Sequence, residues 1–176
     1  KEELPQSAQY YLEIQGANSS AEVYLNGTKL AQHDGGYSTW RVNLTETLAE
    51  ENLLVIAVDN AANERVYPQM ADFTFYGGLY RDVNVICVED SHFDLDYYGG
   101  PGIKVTPVVK GENADVEIEA FVTKFEKGQV IRFSIWDQDG AEVAKAEALE
   151  TKLTLEIPKV HLWHGRKDPY LYTAKL

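Results

Sequence analysis

The stretch YPQMADFTFYGGLYRDV, residues 67–83, decides how this chain is read, because in it an aromatic, charge-bearing loop runs into a strand. Phe73, Phe75, Tyr76 and Tyr80 bring several rings to one short segment. Rings are flat apolar faces suited either to a core or to the CH-rich face of a sugar. Gly77 and Gly78 permit a tight turn or a close backbone approach that a side chain would block. Leu79, Val83 and Val85 then alternate with Tyr80, Asp82 and Asn84, the period of a strand. The plain alternative is a hairpin corner, and Asp72 is the residue that such a corner leaves unexplained.

Outward from this stretch, strand signals dominate. Tyr10–Gln15 and Glu22–Leu25 are short β-favouring runs, and Asn26-Gly27 ahead of Thr28-Lys29-Leu30 is a strong two-residue hairpin signal. Tyr37–Leu44, Asn52–Asp59 and Tyr80–Val88 follow, separated by polar or glycine-bearing turns, with one helical turn expected at Thr45–Glu50. Short strands at near-regular spacing predict a β-sandwich. At Val88–Asp90 the pattern changes, and Gly99-Gly100-Pro101-Gly102 breaks any regular element.

Beyond the break, Lys104–Lys110, Ala114–Phe125, Val130–Gln138, Glu142–Ala148, Leu153–Ile157 and Tyr170–Leu176 read as strands, with a turn at Asp137–Gly140. They fit a small immunoglobulin-like sandwich. The expectation is therefore an all-β chain of two domains: a jelly-roll-like (galactose-binding-domain-like) β-sandwich over residues 1–89 and an immunoglobulin-like β-sandwich over 90–176. Trp136, inside an apolar strand, is expected in the core. The last strand is expected to lack a pairing partner.

The formal net charge of -12, from 28 acidic and 16 basic residues, opposes a sequence-independent hold on nucleic acid or an anionic membrane surface. No apolar run approaches the roughly 20 residues of a membrane helix. Cys87 is the single cysteine, so no internal disulfide forms. Lys1–Ser7 lacks the shape of a signal peptide, and a bacterial cytoplasmic location is expected.

The run Gly77-Gly78-Leu79-Tyr80-Arg81-Asp82-Val83 after Asp72-Phe73-Thr74-Phe75-Tyr76 resembles the end of the sugar-binding domain of glycoside hydrolase family 2, and in particular its β-galactosidases. Ala21–Asn26 with Gly27, then His33-Asp34-Gly35-Gly36-Tyr37, resembles the family's strand, Asn-Gly turn and His-x-Gly-Gly-aromatic loop. Glu51–Asn60 resembles the strand that follows. Leu162-Trp163 and Pro169-Tyr170-Leu171-Tyr172 resemble the late Leu-Trp and Pro-x-Leu-Tyr stretch of its immunoglobulin-like domain. These matches run in order through nearly the whole chain.

The resemblance implies a non-catalytic amino-terminal fragment of a β-galactosidase-like enzyme, with its amino end truncated. The acid/base and nucleophile glutamates belong to a (β/α)8 barrel of roughly 250 residues, so no catalytic residue is assigned here and the fragment alone is expected to be inactive. Asp72, six residues before Gly78, is placed by resemblance on the galactosyl hydroxyls and a sodium ion. A carboxylate suits both tasks; the plain alternative is a turn-capping aspartate.

His33, Asp34 and Phe73 complete the candidate substrate-binding set. For His33 and Asp34 a metal role lacks a third ligand, and an interface role is favoured. Sodium and magnesium are expected only with the full-length parent. A β-galactoside, the barrel and a homo-oligomer are its implied partners. Arg81 is expected to pair with a carboxylate. Tyr67, Phe73, Phe75 and Tyr76 are expected to form an exposed patch that faces the barrel. Trp163, Tyr170 and Tyr172 read as a sugar platform or, more simply, as core or interface. The competing function is an autonomous carbohydrate-binding β-sandwich protein.

Overall fold

The computed structural model describes residues 4–68 and 70–176, so Gln69 in the aromatic loop and the first three residues of the Lys1–Ser7 segment lie outside the described residues. The chain is all-β, with one short 3-10 turn among the described residues, at Thr45–Thr47, and divides into two compact units, Lys1–Gly100 and Pro101–Leu176.

The first unit contains β1 (Gln9–Ile14), β2 (Ala17–Asn18), β3 (Ser20–Leu25), β4 (Thr28–Asp34), β5 (Trp40–Asn43), β6 (Leu54–Asp59), β7 (Gly78–Leu79) and β8 (Val83–Val88). Antiparallel sheets β5-β1-β8 and β4-β3-β6 form its two layers, with β2 and β7 as a short extra pair. Strict alternation in β3 buries Ala21, Val23 and Leu25, and these meet Leu12, Ile14, Trp40 and Val42 from the other layer. Each fully buried Leu, Ile or Val contributes about 1.5–3 kcal/mol of transfer free energy. The β3–β4 turn is the one that the sequence announces: Asn26 and Gly27 both take positive φ, 52° and 84°, as a type I′ hairpin requires. That turn pairs Leu25 with Thr28 and Tyr24 with Lys29, and a bulge at Leu30 then shifts the register by one residue, placing Ser20 opposite Asp34 and Ala21 opposite His33.

Residues 90–100, which the sequence pattern assigns to the second sandwich, fold back onto the first. The Arg41 guanidinium donates to Glu13 Oε2 (2.8 Å) and to the carbonyls of Leu95 (2.9 Å) and Gly100 (2.8 Å). Tyr11 meets the His92 ring edge-on at 5.8 Å, and Gly99 passes so close to Thr39 that a Cβ there would lie 2.0 Å from its carbonyl oxygen. The composition shift marks the end of β8, while the unit itself ends where Arg41 has found its last acceptor. Burial alone would raise the Glu13 carboxyl pKa. Hydrogen bonds from Arg41, Gln15 and Asn84 and the Arg41 charge outweigh it and hold the group below its ordinary 4.5.

The second unit contains β9 (Ile103–Lys110), β10 (Asn113–Ala120), β11 (Ile131–Trp136), β12 (Glu142–Ala148), β13 (Lys152–Ile157) and β14 (Thr173–Lys175) in antiparallel sheets β13-β10-β9 and β12-β11-β14. Ala114, Val116, Ile118 and Ala120 form the buried stripe of β10 and pack with Phe133, Ile135, Leu155 and Ile157. The Asp137–Gly140 turn closes through Asp137 N donating to Ala141 O (2.9 Å), with Gly140 at φ 82°.

Two expectations are corrected. Trp136 is half-buried, its Nε1 donating to Ser134 Oγ (2.9 Å) and its face taken by Lys175 Nζ at 4.6 Å. Tyr170–Leu176 narrows to the three residues of β14, because Tyr170 and Tyr172 turn instead to His161.

Candidate functional site

The aromatic loop leaves β6 at Asp59 and returns at β7. Its entry is wound by two side-chain caps: Asp59 Oδ1 accepts from Ala61 N (2.8 Å), and Asn63 Oδ1 accepts from Arg65 N (2.9 Å) and Val66 N (3.1 Å). Val66 is buried, and Arg65 reaches across to Asp34 Oδ2 (3.0 Å) and Ser20 Oγ (3.3 Å), while Ser20 Oγ donates to Asp34 Oδ1 (2.6 Å). The exit is held by Asn18 Nδ2 donating to Tyr76 O (2.8 Å). Asn18 is in turn packed against Gly36, where a Cβ would lie 2.4 Å from its Oδ1. Under the loop lies a cleft of about 290 Å³ that Asn18, Asn60, Val66 and Phe75 help to line.

Between these anchors Asp72 is exposed, and no hydrogen bond or ion pair occupies its carboxylate among the described residues. The turn-capping alternative therefore has no support; the caps are Asp59 and Asn63. Phe73 (55% exposed) packs on half-buried Phe75 at 4.7 Å, and Tyr67 (75%) and Tyr76 (67%) are open to solvent. The loop thus offers a free carboxylate among rings, a pairing that can accept hydroxyl hydrogen bonds and cover a sugar's apolar face.

His33 and Asp34 stand on the end of β4 rather than in a loop, and their polar atoms are already engaged. The His33 ring stacks on Trp40 at 4.9 Å, with Nε2 3.2 Å from Ser38 Oγ. Burial pushes the His33 pKa below its ordinary 6.5, against the raising effects of the Asp34 charge and a hydrogen bond with the Gly35 backbone. The Ser20 hydrogen bond lowers the Asp34 carboxyl; burial opposes this, and the Arg65 hydrogen bond and charge with the His33 charge add to the lowering.

Both His33 and Glu13 have folded pKa values below their ordinary ones, so as pH falls the unfolded chain binds protons first. Urea midpoints measured against pH are expected to begin falling near the ordinary His value of 6.5 and to fall further below the ordinary Glu value of 4.5. His33→Gln should remove the first decline and leave the second.

Arg65 is the residue that sequence reasoning passed over. Its partner Asp34 is 31 residues earlier, and no local spacing signals a pair between the end of β4 and the loop that follows β6. Arg81, expected on a carboxylate, instead donates to the carbonyls of Tyr37 (3.0 Å) and Gln15 (3.4 Å) and lies 5.2 Å over the Tyr80 ring. Tyr80 donates to Gly36 O and so holds the Gly-Gly loop, while residues 80–82 interrupt the strands with only two backbone bonds, Tyr80 N to Gly16 O (3.4 Å) and Gln15 N to Asp82 O (3.1 Å). Gly36→Ala is expected to destabilise by about 1–3 kcal/mol in urea unfolding, because the new methyl strikes a buried Asn18 that cannot move without dropping Tyr76.

No cluster of three or more His, Cys, Asp or Glu side chains among the described residues could hold a metal. A hard cation takes about six oxygen ligands, so Asp72 is at most one member of a set that no such cluster here completes. In the second unit, His161 lies face to face with Tyr170 at 3.9 Å and 2.6 Å from Asp168 Oδ2, which covers one face of the proposed platform; Trp163 is 64% exposed.

The family model for the glycosyl hydrolase 2 galactose-binding domain-like domain matches residues 1–88. A β-glucuronidase of Bacteroides fragilis is 27% identical over 94% of this chain and 26% of its own length. A β-galactosidase of Thermoanaerobacter pseudethanolicus is 28% identical over 94% of this chain and 23% of its own length. Among solved structures, an FMN-binding β-glucuronidase from Facaelibacterium prausnitzii L2-6 superposes with TM-score 0.87 at 42% identity, covering 99% of this chain and 28% of that one. The chain thus spans about a quarter of the length of the relatives it matches.

Proposed function

The chain belongs to glycoside hydrolase family 2, and from that premise we propose that it is the non-catalytic front part of a β-glycosidase, presenting Asp72 to the hydroxyls of the sugar being released. The observation that carries this reading is an unpaired, exposed carboxylate on an aromatic loop that is pinned at both ends. Hydrolysis of a glycosidic bond uses a pair of carboxyl groups flanking it. On this reading the pair comes from a barrel, and Asp72 neither gives nor takes a proton. It accepts hydrogen bonds from sugar hydroxyls, each charge-assisted contact contributing about 1.5–3 kcal/mol.

A β-glucuronide is the sugar we favour, because the solved β-glucuronidase shares 42% identity over 99% of the chain. A β-galactoside is the second reading, carried by the likeness of residues 77–83 to the β-galactosidases and by the β-galactosidase relative. The enzyme expressed from the complete reading frame should hydrolyse p-nitrophenyl β-glucuronide with a kcat/KM at least about 100-fold above that for the β-galactoside, since the two sugars differ both at C6 and in the configuration at C4. The reverse ratio selects the galactoside, and hydrolysis of neither removes the proposal.

The exposed Tyr67, Phe73 and Tyr76 offer the barrel its packing surface. The 176-residue chain is accordingly expected to bind a hydrophobic dye more strongly per mole than the complete polypeptide. Equal or weaker dye binding by the shorter chain argues against that surface.

A further inference from the structure

Three consecutive residues of the first unit each grip the loop that carries Asp72. Asn18 ends β2, and its Nδ2 donates to Tyr76 O (2.8 Å) at the loop's exit. Ser19 reaches Asp59, where the loop begins, its N and its Oγ both donating to Asp59 O (3.1 and 3.2 Å). Ser20 opens β3, and its Oγ accepts from Arg65 Nη2 (3.3 Å) while donating to Asp34 Oδ1 (2.6 Å). One short run of chain thus meets the loop at its start, at its wound entry and at its exit, and Asp72 lies between the last two.

Asn18 is the member of this run that stability alone does not account for. It is 4% exposed, and a buried amide is costly unless it is hydrogen-bonded. Ala17 fills the adjoining buried position of β2 with no polar group at all. Among the described residues the Asn18 side chain makes its hydrogen bond to a loop carbonyl and to neither main sheet. The fit is tight on every side. Gly36 backs Asn18 where a Cβ has no room, and a Cβ on Gly77 would lie 2.5 Å from Asn60 Nδ2. The exit is therefore held between two asparagines, and it enters β7 with Gly78 paired to Asn18. Tyr76, the residue so fixed, is four positions after Asp72.

On the basis of the sugar contact given to Asp72 above, we propose that Asn18 is a positioning residue for that carboxylate, with Ser20 as its second hold. Neither touches the sugar. Both fix the loop so that Asp72 meets the hydroxyls at hydrogen-bonding distance, and a misplacement of about 1 Å at such a contact costs on the order of 100-fold in rate. Asn18 supplies what an apolar residue of its size lacks, a donor that reaches a loop carbonyl from a buried position.

The test is a double-mutant cycle in the enzyme of the complete reading frame, read as kcat/KM on the p-nitrophenyl glycoside that it hydrolyses. Asn18→Ala alone should lower kcat/KM by about 10-fold or more. In the Asp72→Ala background the same change should cost less than about twofold, because the carboxylate that Asn18 aims is gone. A residue that only stabilises the fold lowers activity by the same factor in both backgrounds, so equal factors overturn the proposal. A loss under about twofold in the parent overturns it as well. An Asp72→Ala variant with full activity removes the proposed function and this role with it, whereas an impaired Asp72→Ala variant with equal Asn18 factors removes the positioning role alone. Urea midpoints establish that each variant is folded under the assay conditions. Where Asn18→Ala does not fold, Ser20→Ala, which removes one hydroxyl at a half-buried position, is judged by the same cycle with an expected loss of about threefold in the parent.

Discussion

Asp72→Ala in the complete enzyme is expected to lower kcat/KM towards its glycoside by about 10²–10⁴, the loss of two charge-assisted hydrogen bonds at about 1.5–3 kcal/mol each. The fold should be indifferent, because Asp72 is exposed and no described side chain or backbone group depends on its carboxylate. Activity and stability therefore separate cleanly at this position, as they would not at Asp34, whose removal frees Ser20 and Arg65 together. Asp72→Asn keeps an acceptor oxygen but loses the charge, and should fall between Ala and the parent. If Asp72→Ala changes kcat/KM by less than about threefold, the loop is not part of the sugar pocket and the proposed function loses its carrier. The measurement is steady-state kinetics on p-nitrophenyl glycosides, with the urea midpoint as the control.

The largest effect on stability is expected at Arg41. Its side chain is 10% exposed and that of Glu13 13%, so the ion pair is largely withdrawn from water. The same guanidinium also satisfies the carbonyls of Leu95 and Gly100. Arg41→Met removes the cation and leaves the Glu13 carboxylate nearly buried beside two orphaned carbonyls. Loss of one partner of a buried pair destabilises by about 3–5 kcal/mol. Urea unfolding of the 176-residue chain should show this, and proteolysis should open first in residues 90–100, which Arg41 ties down. Glu13→Gln combined with Arg41→Met should recover part of the loss, since the uncompensated charge is then gone. A change under about 1 kcal/mol, the scale of an exposed pair, would show that this pair is solvated and that residues 90–100 are held by other contacts.

Much of the architecture was legible because its causes are local. Alternation in Glu22–Leu25 and Asp115–Ala120 is the alternation that buries Val23, Leu25, Val116 and Ile118. The Asn-Gly pair forms the turn that its residue types demand. The end of β10 was less legible: Val116, Ile118, Ala120 and Val122 fall on one face, yet the strand stops at Ala120, with Phe121 N still donating to Gly102 O in register. In the same way Tyr80 and Arg81 carry strand periodicity yet serve the carbonyls of Gly36 and Tyr37. Periodicity reports which face a side chain would take if the ladder continued. It does not report whether a distant carbonyl competes for the segment.

The candidate site divides along the same line. Asp72 could be singled out by the family resemblance, from its place six residues before Gly78, and Phe73 by its place beside it among the rings. That Asp34 is a clamp, that Arg65 is its partner and that His33 lies flat on Trp40 could not be read, since each depends on residues that the sheets bring together from β3, β4, β5 and the loop after β6. The sequence by itself determined the strands, the turns and the stripe of each strand that seeks the core, because these follow from chain chirality, period-two alternation and glycine's access to positive φ. The tertiary structure alone decided which polar groups meet and that residues 90–100 belong to the first unit. Those outcomes depend on the register and lateral order of whole sheets, and a charged or apolar side chain carries no local mark of the partner it will find there.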